Sequence, residues 1–333
     1  MRAIVLSIFT AAFALSLVAP AVAEVNEVRI TRQPGLVYLP LMVMEENKLI
    51  EKQAQKRGLG DIKVDWVVFN SGGAAVDALL SGNVDFVTSG GTNLLVAWSG
   101  SGGQVKGVGG AGAIPMMLVT RNPAVKSIKD LSDRDKIAVP TVRVSTQSTI
   151  LAMASEQAFG PDAIHKFDPI TLALGHPDAL IALQSGKGEI DSHFSLPPFQ
   201  DEELKIPGVH AILNSVDVAG GPVSNGVTFS SVKFHDANPK VFAAVHAALG
   251  EAIDLINHNR RAAAQIYLDQ SHDTRLTVDD VVKIMSQPNF VYSLAPQRTM
   301  KLWDIMYRGG TIKMKATSWH DFFFQEDWNT PGS

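Results

Sequence analysis

The chain of 333 residues is 46% hydrophobic and 19% charged, a globular composition with enough apolar material for one large domain or two lobes. Its 29 basic and 33 acidic residues leave it mildly acidic, which gives no electrostatic reason to expect nucleic acid or an anionic membrane as partner. It has no cysteine, which excludes cysteine nucleophiles, thiolate zinc sites, iron–sulfur clusters and a lipidated-cysteine anchor.

Arg2 is the only charge among residues 1–23, and an apolar run from Ala3 to about Ala19 leads to Pro20 and Ala21-Val22-Ala23. This is the charged start, apolar core and A-x-A end of a secretory signal peptide, so the expected mature chain begins at Glu24 in the periplasm. An exported protein meets no ATP pool and no reduced nicotinamide pool. From there short β-branched runs alternate with helical patterns. Strands are expected at Glu27–Thr31, Ile62–Phe69, Val84–Thr88 and Val105–Val108. Helices are expected at Leu39–Arg57 with a break near Asn47-Lys48, and at Gly73–Leu80 and Thr92–Trp98. The middle repeats the alternation, with strands at Lys136–Val139, Ile170–Leu174 and Glu189–His193 and helices at Thr146–Phe159 and Pro177–Gln184. After about Phe234 the pattern is helical: Asn238–His258, Arg261–Gln270, Thr277–Met285 and Gln297–Tyr307, then an irregular tail from Trp319. Strand–helix alternation argues for an α/β fold with mostly parallel sheets flanked by helices.

An internal repeat divides the chain. Ala78-Leu79-Leu80-Ser81-Gly82-Asn83-Val84-Asp85 returns, expanded by two residues, as Ala182-Leu183-Gln184-Ser185-Gly186-Lys187-Gly188-Glu189-Ile190-Asp191. Each copy ends a helix at a glycine and enters a strand at an aspartate, which suggests two similar lobes. Residues 113–121 and 221–230 are extended and flank the second unit, so they are expected to cross between the lobes as an antiparallel hinge. The expected division is 24–115 with 225–333 in one lobe and 116–224 in the other.

Several motifs do not carry the chemistry they suggest. Gly107-Val108-Gly109-Gly110-Ala111-Gly112 fits G-x-G-x-x-G, but a strand follows it where a dinucleotide site needs a helix. No P-loop and no G-x-S-x-G elbow occurs, and no two of the nine histidines are spaced i,i+3 or i,i+4. No cofactor, no metal and no enzyme activity is expected. The strand ends are more informative, because open α/β sheets bind ligands there. They point to Gln33, to Ser71-Gly72 and to Thr88-Ser89 in the first lobe. In the second they point to Arg143, Ser145 and Thr146 and to His193-Phe194. Ser71, Thr92 and Thr146 can open helices whose free N–H groups favour an anion. Arg143 beside such a terminus is expected to pair with a carboxylate, sulfonate or nitrate, and its loss to weaken binding by roughly 2–4 kcal/mol.

The ordered motifs over nearly the whole mature chain resemble those of periplasmic substrate-binding proteins of the sulfonate/nitrate/taurine class, which feed ABC importers. They are Ile30-Thr31-Arg32-Gln33 with Leu39-Pro40-Leu41 and Glu45-Glu46-Asn47-Lys48-Leu49-Ile50; Ala78–Asp85 with Thr88-Ser89-Gly90; Ser127-Ile128-Lys129-Asp130-Leu131 before Ile137-Ala138-Val139-Pro140; and Asp191 with Pro198-Phe199. The resemblance implies the two-lobed periplasmic binding protein fold, type II, with two crossing hinge strands. It also implies a monomer that closes on a small molecule and meets a permease in the inner membrane. Relatives carry a Trp where this chain has Leu196 and an acid where it has Gly91. With no buried countercharge for an ammonium, a non-amino anion is expected over taurine. Binding of a neutral pyrimidine-type nutrient, an exported enzyme on the same fold and a ligand sensor are the alternatives.

Overall fold

The computed structural model describes residues 23–333, so all but Ala23 of the segment read as a signal peptide lies outside the described residues. Ten strands form two five-stranded sheets. The first holds β1 (Glu27–Arg32), β2 (Lys63–Val68), β3 (Phe86–Ser89), β4 (Val105–Gly112) and β10 (Gly226–Ser231), in the order β2-β1-β3-β10-β4. The second holds β5 (Met117–Thr120), β6 (Ile137–Val139), β7 (Thr171–Ala173), β8 (Ser192–Ser195) and β9 (His210–Asn214), in the order β7-β6-β8-β5-β9. In each, one strand runs against the rest: β10 lies antiparallel between β3 and β4, and β5 between β8 and β9. The two orders correspond position by position, β1 to β6 and β3 to β8. The two-lobed α/β fold with mostly parallel sheets is therefore present.

Helices α1 (Leu39–Glu46), α2 (Leu49–Lys56), α3 (Gly72–Leu80) and α4 (Gly91–Gly100) follow the strands of the first sheet. Helices α5 (Thr146–Phe159), α6 (His176–Ser185), α7 (Phe199–Glu203) and α8 (Ser215–Ala219) serve the second. The chain then returns through β10 to α9 (Val232–Ala237), α10 (Pro239–His258), α11 (Arg260–Ser271), α12 (Val278–Met285) and α13 (Thr299–Arg308). The break between α1 and α2 is Lys48, which sits at φ 49°. None of the described helices is long and apolar enough to cross a membrane.

The repeat has a physical basis. Asp85 Oδ2 accepts the Arg29 N–H at 2.8 Å, and the Asp85 N–H donates to Arg29 O at 2.9 Å. Asp191 does the same with Lys136, its Oδ2 accepting the Lys136 N–H and its own N–H donating to Lys136 O, each at 3.0 Å. In both lobes the aspartate fastens the central strand to the start of its parallel neighbour. The strand that the sequence places at Glu189–His193 accordingly begins later, at Ser192, because Asp191 is occupied with this clasp.

The segments expected to be extended are mostly sheet interior. Residues 117–120 and 226–231 are β5 and β10, each antiparallel between two neighbours in its sheet. The crossovers are shorter, 113–116 and 220–225. They are tied by one amide: Asn225 Oδ1 accepts the Ile114 N–H at 3.0 Å, and Asn225 Nδ2 donates to Ile114 O at 2.9 Å. The glycine motif lies inside β4 itself. A Cβ at Gly107 would run into the ring of Phe323, and one at Gly110 into the Ser293 carbonyl. Gly107 makes room for the tail and Gly110 for the segment that precedes α13.

Candidate ligand-binding site

The ends of both sheets converge on a small, partly open cavity of about 30 Å3. Gln33, Gly72, Ser89 and Asn93 face it from the first sheet's side, and Ser145, Thr146, Gln147 and His176 from the second. Tyr38 and the crossover residue Asn225 complete the wall. The sides are in contact here. Thr92 Oγ1 and Thr146 Oγ1 lie 3.2 Å apart, and the Leu36 N–H donates to Pro197 O at 3.0 Å. Gly90 keeps this approach open, and Gly72 makes room for Ser89 and Asn93 on its own side. A Cβ at Gly72 would run into Ser89 Oγ and Asn93 Nδ2, and one at Gly90 into Thr146 Oγ1.

The electrostatics come from backbone dipoles. Helices α3, α4, α5 and α6 all start at the cavity wall, with Gly72, Gly90, Ser145-Thr146 and His176 lining it. A helix start carries unpaired N–H groups and about half a positive charge. No Lys, Arg, Asp or Glu is among the described residues that line this cavity. Burial pushes the Tyr38 phenol up, so it stays a neutral donor, and burial followed by the charge of His193 pushes His176 well down, so that ring stays neutral. Asn93 Nδ2 donates to Ser89 Oγ at 2.8 Å, while its Oδ1 is buried without a partner. The arrangement offers a compact oxyanion or a planar amide a shell of neutral donors.

Of the residues expected from sequence, Gln33, Gly72, Ser89, Ser145 and Thr146 come together at the cavity. The others do not. Ser71 caps α3, its Oγ accepting the Ala74 N–H at 3.4 Å. The Thr88 hydroxyl is turned to that of Thr228, 2.8 Å away inside the sheet, and its carbonyl accepts from Gln33 Nε2. Phe194 is core, and His193 lies behind His176. Arg143 points elsewhere. Its Nε donates to Asp168 Oδ2 at 2.6 Å on an exposed seam, where His165 joins the same carboxylate to the Gly309 carbonyl that follows α13. The reason is local: Arg143 adopts φ 64° in the turn before α5, which swings its side chain away from that helix's first N–H groups.

Sequence reasoning missed Tyr38, Asn93, Gln147, His176 and Asn225. His176 was within reach of the strand-end rule, since it opens α6 directly after β7. Beside the small cavity lies a larger one of about 440 Å3, lined by Arg32, Met42, Phe199, Tyr267 and Arg275, with Gln33, Pro34 and Pro177 as the shared wall.

This fold and cleft define the class: the chain has the architecture of the periplasmic binding proteins. No family model matches it, and no curated protein does. Among solved structures it is similar to the alkanesulfonate-binding protein SsuA of Xanthomonas axonopodis pv. citri bound to MOPS. The two share 18% identity at a TM-score of 0.67, over 88% of this chain and 96% of that one. The periplasmic aliphatic sulphonate-binding protein SsuA of Escherichia coli matches at 19% identity and TM-score 0.66, over 92% and 99%. The periplasmic nitrate-binding protein NrtA of Synechocystis PCC 6803 matches at 15% and 0.61, over 78% and 70%. Their binding classes, sulfonate and nitrate, are those of the proteins that the sequence resembles. At these identities the likeness shows the fold.

Proposed function

We propose that this protein is an extracytoplasmic solute-binding protein. Its lobes, 24–115 with 225–333 and 116–224, close on a small anion that is then handed to an ABC permease. One observation carries the reading: four helix starts and a set of neutral amides and hydroxyls from both sides meet at one small cavity. The ligand would stabilise the closed form because only closure brings both sets of donors onto it. With Arg143 outside, the anion would be held by dipoles and neutral donors alone, a mode that helix starts support without a countercharge. The periplasmic address rests on the signal-peptide pattern.

A thermal-shift and calorimetric screen tests this in buffers free of sulfonates and carboxylates. It covers methanesulfonate, nitrate, sulfate, small carboxylates and pyrimidines. A true ligand at 100-fold its Kd should add about 2.7 kcal/mol to stability. Stabilisation by an anion is the expected result. Stabilisation by a pyrimidine alone would overturn the anion reading in favour of a neutral ligand, which the uncharged wall also suits. Turnover of a bound compound would overturn the binding-protein reading.

A further inference from the structure

The cleft has two compartments of unequal size. The cavity of about 30 Å3 at the helix starts admits about two waters, the scale of an anion's head and not of a whole organic molecule. The neighbouring cavity of about 440 Å3 falls in the range of pockets that take up whole organic ligands. Gln33, Pro34 and Pro177 line both. Gln33 and Pro34 follow β1, while Pro177 lies in the first turn of α6, so the partition is built from opposite sides of the cleft. It parts when the lobes part, and one solute can then reach into both compartments before they close.

The walls of the larger compartment say what would fill it. Met42 from α1, Phe199 from α7 and the two shared prolines make it apolar. Phe199 also stacks on His176, with ring centroids 5.7 Å apart at 18°, so this apolar wall backs directly onto the wall of the small compartment. Three charged side chains, Arg32, Asp273 and Arg275, line it as well. Arg275 is forked onto Asp273 through Nε at 2.9 Å and Nη2 at 2.7 Å, and these two satisfy each other. Arg32 is held differently. Its Nη1 donates to Gln270 Oε1 at 2.7 Å and lies 3.2 Å from Glu45 Oε2, and Gln270 Nε2 is itself anchored on Met42 O at 3.2 Å. Arg32 Nε is buried without a partner, and Nη2 makes no hydrogen bond among the described residues. The guanidinium is thus fixed through one nitrogen, and Nη2 is left for an acceptor in the cavity. Arg32 directly precedes Gln33, so the small compartment and this cation meet at adjacent residues.

We infer, on the anion reading above, that the solute is an organic dianion with an apolar middle. One acid group sits at the helix starts of the small compartment, the body lies against Phe199 and Met42, and the second acid group pairs with Arg32. A bare inorganic anion would fill the small compartment and leave the larger one to water. Burying an aromatic body and pairing a second acid with a guanidinium should each raise affinity by about tenfold or more.

Calorimetry with three probes that share one head tests this in Tris chloride: methanesulfonate, benzenesulfonate and para-sulfobenzoate. Affinity is expected to rise at least about tenfold at each step. Arg32→Gln should weaken para-sulfobenzoate at least about tenfold and abolish its advantage over benzenesulfonate, a ratio that a merely structural role would not move. Should that variant not fold, the wild-type series decides by itself. Benzenesulfonate no tighter than methanesulfonate, or para-sulfobenzoate no tighter than benzenesulfonate, overturns the dianion and leaves the anion reading standing. No binding of these three or of any anion in the wider screen overturns both.

Discussion

Arg143 shows how a residue's chemistry and its placement can part. A guanidinium beside a helix start is a good anion trap in principle. The left-handed turn gives it to Asp168 and to the seam with α13 instead. The Arg143 side chain is 60% exposed, so its ion pair is worth at most about 1 kcal/mol. Arg143→Ala is therefore expected to leave anion affinity at the wild-type value and to shift the midpoint of unfolding only slightly. Titration of the variant against whichever anion the screen identifies checks this, and a tenfold loss would return Arg143 to the site. The sequence could say that this region is a strand end opening a helix. It could not say which way one turn residue points, because that depends on a single φ angle. His176 is the reverse case. Its type and position, first in a helix after a strand, were legible, but His193 beside it and Glu203 behind that come together only when β8 and α7 pack in the fold.

At the scale of elements, one device recurs: a Ser or Thr followed three residues later by Asp. Ser127–Asp130, Ser132–Asp135, Thr277–Asp280 and Ser318–Asp321 each close this box, the carboxylate accepting the N–H of the Ser or Thr. All four carboxyls are held below the usual range. At Asp130 the N–H groups of Lys126 and Ser127 lead and at Asp280 the hydroxyl and N–H of Thr277, each against a smaller push from burial; at Asp135 and Asp321 burial is the largest single influence, upward, and the hydrogen bonds together outweigh it. Asp135 does more than cap. Its Oδ1 also accepts from Asn122 Nδ2 at 2.8 Å, which ties the exit of β5 to the approach of β6. A lowered folded-state pKa means that the ionised form stabilises the fold. That contribution is complete above the unfolded value near 3.9 and is lost as pH falls through the folded one. Asp135→Asn should thus cost about 1 kcal/mol near neutrality and nothing in strong acid. Denaturant titrations at the two pH values measure it, and a cost that persists in acid would mean that shape matters and charge does not. The long helices were legible nearly to the residue, α5 and α10 above all, because periodicity accumulates with length. Between α7 and α9 only residues 221–230 were read, as extended, and α7, β9, α8 and α9 were not. These elements are five or six residues long, too short for a period to show.

At the scale of the molecule, the sequence repeat correctly announced two like sheets, because the same helix–glycine–aspartate–strand unit builds the centre of each. What it blurred was the crossing. The extended segments 113–121 and 221–230 are half sheet and half crossover, and sheet interior does not bend. Bending should therefore concentrate in 113–116 and 220–225, around the Asn225–Ile114 clasp. Elsewhere the sides meet through the Leu36–Pro197 backbone bond and through side chains that can part: the Arg308–Glu156 fork, Lys301 on the Ala219 carbonyl, and Gln287 on Asp201. Solution scattering should show a smaller radius of gyration with saturating anion than without. Identical profiles at saturation would rule out closure as the means of capture.

The tail along β4 has a consequence for solubility. As the last strand of its sheet, β4 would leave a row of backbone donors and acceptors open to another copy. Its glycines let the chain's own later segments lie against that row. The Gly110 N–H donates to Leu294 O at 2.7 Å, the Ala113 N–H to Val291 O at 2.8 Å, and the Phe324 N–H to Gly107 O at 2.9 Å. A glycine strand has little propensity of its own and no side chains to repel a stranger. The segment before α13 and the tail together thus seal the margin most prone to sticking. A chain cut short before them would still contain the facing ends of both sheets, yet it would carry an exposed adhesive flank.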